Sequence, residues 1–202
     1  MTSRKELFLK WIKILFYVQC VALVATVIDW VPVIGSWFGW LISATSIVTI
    51  VVLFQLIPMN ERYKKAVIFL SIAAITTFLL KLFLMLAVVG AIASIIGMYQ
   101  EYMGHSEVMQ EVNKKVGDSW QRLFYLDLVG GLCVSVIGSI IAVAIGVVAA
   151  VDISIDVTTV ITQGYSFIFD VLYLLLLKHT YDKYKAYEPL HEAVALYEEM
   201  EE

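Results

Sequence analysis

The chain has 202 residues, of which 61% are hydrophobic and 16% are charged, whereas an ordinary soluble domain is about half apolar and a quarter charged. With a mean hydropathy of +0.86, this composition excludes an ordinary soluble domain and predicts an all-α transmembrane protein whose first partner is the lipid bilayer. The formal net charge of -4, with no basic patch to neutralise phosphates, predicts no nucleic-acid partner.

The basic residues fall into four groups, which are separated by apolar stretches. Of the 14 Lys and Arg residues, only Lys81 lies outside these groups. The groups are Arg4, Lys5, Lys10 and Lys13; Arg62, Lys64 and Lys65; Lys114, Lys115 and Arg122; and Lys178, Lys183 and Lys185. Because basic residues beside spanning helices stay in the cytoplasm, each stretch between groups is expected to cross twice. We therefore expect an integral protein of the bacterial cytoplasmic membrane with both termini cytoplasmic.

The first apolar stretch predicts two helices. Helix 1 is expected from about Leu7 to Ile28, and helix 2 from about Ser36 to Ile57, where Pro58 and Asn60 end it. The apolar run of helix 1 is longer than the core of a usual signal peptide and lacks a small-residue cleavage site. We therefore expect helix 1 to be retained.

The second stretch, Ala66 to Tyr99, has two interpretations. The lack of Gly or Pro near Lys81 favours one long tilted helix. The charge pattern favours a hairpin of two short arms, since a single crossing would place the flanking basic groups on opposite sides. We predict the hairpin, and with it a six-helix bundle of three hairpins. The alternative is five helices with one long central helix.

The segment from Gln100 to Ser119 is polar and predicts an amphipathic element on the inner membrane surface. Its apolar residues recur at helical spacing: Met103, Met109, Val112 and Val116. After it we expect a helix from Trp120 to about Ala150, an outer turn from Val151 to Val157 and a last membrane helix from about Thr158 to Leu177. Residues 1–186 would form the transmembrane domain, and residues 187–202 an acidic amphipathic cytoplasmic tail.

Small residues mark one face of the helix that begins at Trp120. They are Gly131, Ser135, Gly138, Ala142, Gly146 and Ala150. Such a face lets another helix approach closely, either within the bundle or in a homo-oligomer.

An internal repeat is also suggested. Similar short apolar segments follow Lys13, Lys65 and Arg122, and the phenylalanines in these segments are 53 and 55 positions apart. Similar tripeptides also follow three of the apolar runs: Glu61-Arg62-Tyr63, Gln100-Glu101-Tyr102 and Asp182-Lys183-Tyr184. The pattern predicts three hairpins in one orientation. The alternative explanation is that apolar helix segments resemble one another by chance.

Six polar residues would then share a depth of about 8 to 12 Å inside the cytoplasmic face, at 1.5 Å of rise per residue. They are Gln19, Ser71 and Asp127 on the entering helices and Gln55, Ser94 and Asp170 on the returning ones. Charged groups inside a bilayer are costly and usually face a cavity or a partner. Asp127 and Asp170 are thus the main candidates for binding a ligand or an ion, and the alternative is that they only hydrogen-bond neighbouring helices.

Lys81 is a further candidate, because it could hold an anionic group or pair with an aspartate. Its competing interpretation is a side chain that extends to the outer interface. Glu101, His105 and Met109 share a helical face, but one His and one carboxylate do not make a metal site. No catalytic or nucleotide-binding motif is present, and Cys20 and Cys133 show no paired spacing, so we expect no enzyme activity and no cofactor.

The leading hypothesis is a non-enzymatic transport or ligand-binding membrane subunit. Its site would contain Asp127, Asp170, Gln19, Gln55 and Lys81. The alternative is a membrane scaffold or regulatory protein that meets a protein partner through its cytoplasmic loop and acidic tail. Two aspartates facing each other across a wettable cavity would favour transport, whereas a packed interior would favour the scaffold.

Overall fold

The computed structural model describes residues 4–30, 35–79, 86–149 and 153–187. These residues form six α-helices and no strand, which confirms the all-α prediction for this part of the chain. The helices are α1 (Arg4–Asp29), α2 (Gly35–Leu56), α3 (Glu61–Leu79), α4 (Leu86–Gln110), α5 (Lys114–Ala149) and α6 (Ile153–Ala186). Helices 1 and 2 match their predicted bounds to within three residues.

The helices are arranged as a ring in chain order. Each of α1 to α5 packs extensively against the next helix, and α6 packs against α1 to close the ring. The six helices therefore surround a common interior, and each presents one face to it and another to the outside.

Glycines set the close packing of α3 against α4. Gly90, Gly97 and Gly104 are seven residues apart, so they lie on one face of α4. A Cβ on Gly97 would lie 2.8 Å from the Leu70 side chain, and one on Gly104 would lie 3.0 Å from the Tyr63 ring. Since the contacts move backwards along α3 as they move forwards along α4, the two helices are antiparallel. The stretch from 66 to 99 thus belongs to two helices, with Lys81 outside the described residues.

Among the residues whose burial the structure describes, the large buried side chains lie at one end of the ring, which we call the packed end. Here Phe8 of α1 stacks on Tyr184 of α6 with ring centroids 4.3 Å apart. Arg4 donates a hydrogen bond of 3.0 Å to the Met59 carbonyl in the α2–α3 turn. The fully buried members of this core include Ile12, Leu15, Leu53, Leu56, Met109, Trp120 and Leu177.

Toward the other end of the ring, the buried side chains are small or hydroxylated. They include Ala25, Thr45, Thr76, Gly90 and Ala93. Small side chains on the inner faces fill less of the space between helices, so this half of the ring can enclose a cavity while the packed end cannot.

The outside of the ring is apolar. Large hydrophobic residues that are more than half exposed include Val24, Ile47, Val88, Leu132 and Ile140. Within the described residues, four helices are long and apolar enough to cross a membrane, namely α1, α4, α5 over Lys114–Ile141 and α6 over Thr159–Ala186. Helix α2 contributes a shorter apolar helix, Trp40–Leu56.

The polar segment from Gln100 to Ser119 differs from its prediction. It is not a separate element on a surface, because α4 continues through it to Gln110 and α5 begins at Lys114. Met103, Met109 and Val116 are buried in the core of the packed end. The apolar stripe was therefore correctly identified, but it packs against the bundle.

The remaining predictions have mixed outcomes. The turn expected from Val151 to Val157 is too long, because α6 begins at Ile153. Of the predicted small-residue face, Gly138 is buried but Ser135 is exposed, and the side chains of residues 142–150 and the tail 188–202 lie outside the described residues. The internal repeat stays a prediction. The tyrosines of its three similar tripeptides, Tyr63, Tyr102 and Tyr184, are all buried at the packed end.

The glycine contact gives a stability test. Gly97→Ala should destabilise the protein by about 1–3 kcal/mol, because the new methyl group meets both the Leu70 side chain and its backbone nitrogen. Thermal unfolding in detergent should show a melting temperature lower by about 2–4 °C for each kcal/mol. Gly164→Ala is the matched control, since a Cβ there meets nothing within 4 Å. Equal melting temperatures for the two variants would contradict this packing.

Candidate functional site

A cavity of about 1230 Å³ lies inside the ring. Residues of α1, α2, α3 and α4 line it, and α6 contributes Asp170. Along α4 the lining runs from Gly90 to Glu101, a distance of about 16 Å at 1.5 Å per residue. The cavity thus extends from the loosely packed half of the ring down to the edge of the packed end.

The walls of the cavity carry hydroxyl and amide groups among apolar side chains. They include Gln19, Thr26, Thr45, Thr49, Thr77 and Ser94. The Gln19 amide of α1 donates a 3.2 Å hydrogen bond to the Thr49 hydroxyl of α2. The Thr45 hydroxyl donates to the Ile42 carbonyl of its own helix at 2.8 Å. These groups are satisfied within the protein, and their remaining lone pairs can accept a hydrogen bond from a ligand.

Four polar residues form what we call the polar floor: Glu101, His105, Tyr63 and Tyr173. The Glu101 carboxylate is 6% exposed, lines the cavity and accepts a hydrogen bond from the Tyr173 hydroxyl. The Tyr63 hydroxyl and the His105 Nδ1 atom are 2.9 Å apart. Three helices, α3, α4 and α6, thus contribute two buried hydrogen-bonded pairs, which lie one turn apart along α4.

One atom of the polar floor is unpaired. The His105 side chain is fully buried, and its Nε2 atom has no hydrogen-bond partner among the described residues. Its nearest acidic group is Glu101 Oε1, at 3.9 Å, which is too long for a hydrogen bond. An unpaired buried polar atom costs about 1–3 kcal/mol, so the His105 Nε2 atom is an unfavourable feature of an otherwise packed layer.

Aromatic rings enclose the polar floor from below. The Trp120 ring of α5 stacks on His105 with centroids 4.6 Å apart, and it meets the Tyr102 ring edge-on at 5.5 Å. The Trp120 indole donates a buried 2.9 Å hydrogen bond to the Thr180 hydroxyl of α6. The floor therefore rests on a tightly packed aromatic layer that excludes water.

The turn between α2 and α3 positions Tyr63. The Asn60 side chain accepts a 2.8 Å hydrogen bond from the Arg62 backbone, which caps the start of α3. Arg62 in turn forms a 2.8 Å ion pair with Glu107 of α4. Because both partners are about one-third exposed, this pair contributes about 1 kcal/mol or less to stability, and its effect is to align the two helix ends.

The sequence-predicted site residues divide into three sets. Gln19, Ser94 and Asp170 line the large cavity. Asp127 lines a separate cavity of about 220 Å³ beside Phe124 and Gly131. Gln55 and Ser71 line neither cavity, and Lys81 lies outside the described residues. The two aspartates therefore do not face each other across one cavity.

Sequence reasoning missed the polar floor. Glu101 and His105 were recognised as sharing a helical face, but only as possible metal ligands. Over the described ranges, no three His, Cys, Asp or Glu residues are grouped so that they could hold a metal ion. The available signal was the Glu-His pair at i and i+4 on the same stripe as the buried Met109, which indicated that both polar residues face the interior.

The chain was also compared with known proteins. No family model, curated protein or solved structure matches it. Its function is therefore inferred from its own residues and their geometry.

The hydrogen bond between Trp120 and Thr180 gives a second stability test. Thr180→Val should lower the free energy of unfolding by about 1–3 kcal/mol, because it leaves the buried indole N–H without an acceptor. Thr77→Val is the matched control, since the exposed Thr77 hydroxyl bonds only the Ala73 carbonyl of its own helix. Thermal unfolding of both variants checks this. An effect of Thr180→Val no larger than that of Thr77→Val would show that the bond contributes nothing.

Proposed function

We propose that the chain is an integral membrane protein whose six helices cross the bilayer as three hairpins, with both termini in the cytoplasm. The apolar outside of the ring supports this, because a surface of that kind is stable against lipid and unfavourable in water. The four basic groups support the orientation, since they stand at the start of α1, at the starts of α3 and α5, and at the end of α6. All of these lie at the packed end, which would face the cytoplasm.

We further propose that the protein is a non-enzymatic subunit that binds a small molecule for transport. The single observation that carries this is a large cavity with two carboxylates, Glu101 and Asp170, inside an otherwise apolar bundle. Charged groups within a membrane are unfavourable and are kept where they serve a ligand or an ion. A bundle that served only as a scaffold would gain stability by filling this space with larger side chains.

The form of the cavity suggests how such a subunit would work. The aromatic layer around Trp120 closes the ring at the packed end, which lies on the cytoplasmic side in this orientation. A ligand would enter from the other half of the ring and stop at the polar floor. Onward passage would need either a rearrangement of the packed end or a partner protein, as expected of a capture subunit.

Water access to the cavity tests this proposal. In a chain lacking Cys20 and Cys133, Ser94→Cys should react with a charged, membrane-impermeant thiol reagent, because water reaches the cavity wall. Ile92→Cys is the matched control: Ile92 lies on the same helix, is 54% exposed on the outside and would face lipid. The protein is labelled in liposomes, and the extent of labelling is measured by mass spectrometry. An unreactive Ser94→Cys would indicate a dry interior and favour the scaffold.

The proposed orientation has its own test. Single cysteines at Gln110 and Glu202, again without Cys20 and Cys133, should be labelled only from the cytoplasmic side. Gln110 is exposed at the end of α4, so its thiol would be accessible there. Inside-out and right-side-out vesicles separate the two sides. Labelling of Gln110→Cys from the outside would contradict the three-hairpin topology.

A further inference from the structure

We infer that the cavity takes a hydrophobic organic cation, an inference that rests on the proposed function and names its ligand class. The first observation is the charge of the lining. Among the described lining residues, Glu101 and Asp170 are acidic and none is Lys, Arg or His. In a low-dielectric interior, a carboxylate such as that of Asp170, with no basic residue in the described lining, favours a cation and disfavours an anion.

The second observation is the way in which the protein holds Glu101. The carboxylate has one hydrogen bond, from the Tyr173 hydroxyl, although an ionised carboxylate can accept several. Beside it stands the fully buried His105, whose Nε2 atom is unpaired and faces Glu101 Oε1 at 3.9 Å. Glu101 therefore has acceptor capacity that the described residues leave unused. Because it lies in the wall of the cavity, a cationic group of a ligand could be bound there.

The third observation is the character of the walls. Between the polar groups the lining is aliphatic, with residues such as Ala22, Ile50, Leu70, Ala73 and Ala91. The volume of about 1230 Å³ exceeds that of most ligand pockets, which hold about 300–1000 Å³. A bare inorganic ion would leave these apolar walls in contact with water. A cation with an apolar body would cover them and gain the hydrophobic contribution.

A lateral opening gives such a ligand a route of entry. Ile47 of α2 and Ile75 of α3 both line the cavity, and they are 59% and 58% exposed. These two isoleucines mark the wall between α2 and α3 as the place where the cavity would open to the bilayer. A hydrophobic cation dissolved in the bilayer could enter here with its apolar part first.

Two ions of matched size and shape but opposite charge test this inference. Tetraphenylphosphonium should bind the protein in nanodiscs in a saturable way, and tetraphenylborate should not. Equilibrium dialysis against empty nanodiscs removes the contribution of partitioning into lipid. Asp170→Asn should weaken tetraphenylphosphonium binding at least tenfold, and Glu101→Gln should have a similar effect.

Asp182→Asn is the matched control, because Asp182 is an exposed carboxylate on the same helix that lines neither cavity, and its loss should leave binding within twofold of wild type. Asp170 is exposed to the cavity, so Asp170→Asn should fold even if Glu101→Gln does not. Equal binding of both ions, or equal losses in Asp182→Asn and Asp170→Asn, would overturn the inference. If tetraphenylphosphonium fails to bind while Ser94→Cys still reacts with the thiol reagent, the ligand class is wrong and the proposed function stands. If both experiments fail, the proposed function falls as well.

Discussion

The close approach of α3 and α4 is the constraint on which the rest of the structure depends. Because Gly104 has no side chain, the Tyr63 ring lies directly against α4 and its hydroxyl reaches His105. This contact fixes the end of α4 inside the bundle, and with it the carboxylate of Glu101, one turn earlier on the same face. A larger residue at Gly104 would push Tyr63 away, separate the two helices and open the polar floor.

The same ring of helices is packed at one end and hollow at the other, and side-chain size on the inner faces explains the difference. Aromatic and long aliphatic residues fill the packed end, where Trp120, Tyr102 and Tyr173 are in mutual contact. Small and hydroxyl-bearing residues face the interior in the other half. An empty volume of this size forgoes much dispersion energy, so a stable fold needs the packed end to compensate. Stability and the cavity are in this way assigned to opposite ends of one bundle.

Much of the fold could be predicted from the sequence, but less of the site. The positions of the basic groups and the lengths of the apolar runs are local properties of the sequence, so the six helices could be predicted from them. The depth of a residue along its helix can also be predicted locally, by counting residues from the helix end, and Gln19 and Asp170 do line the cavity. The direction in which a side chain points around the helix axis depends on how the helices pack, so it cannot be predicted from the local sequence. Gln55 was assigned a similar depth but does not line either cavity. Glu101 lay in a polar run that resembled a surface segment, and Tyr173, which donates a hydrogen bond to it, is 72 positions away.

The central claim is that the ring encloses a water-filled space in one half only, and the hydration of spin labels along its inner faces measures this most directly. Nitroxides would be placed at Ala74 and Ala91 in the cavity, at Val108 in the packed end and at Val88 on the apolar outside. Deuterium modulation in pulsed EPR of the protein in liposomes in D₂O should be strong at Ala74 and Ala91 and weak at Val108 and Val88. Equally weak modulation at all four positions would contradict the account, because the interior would then be dry throughout.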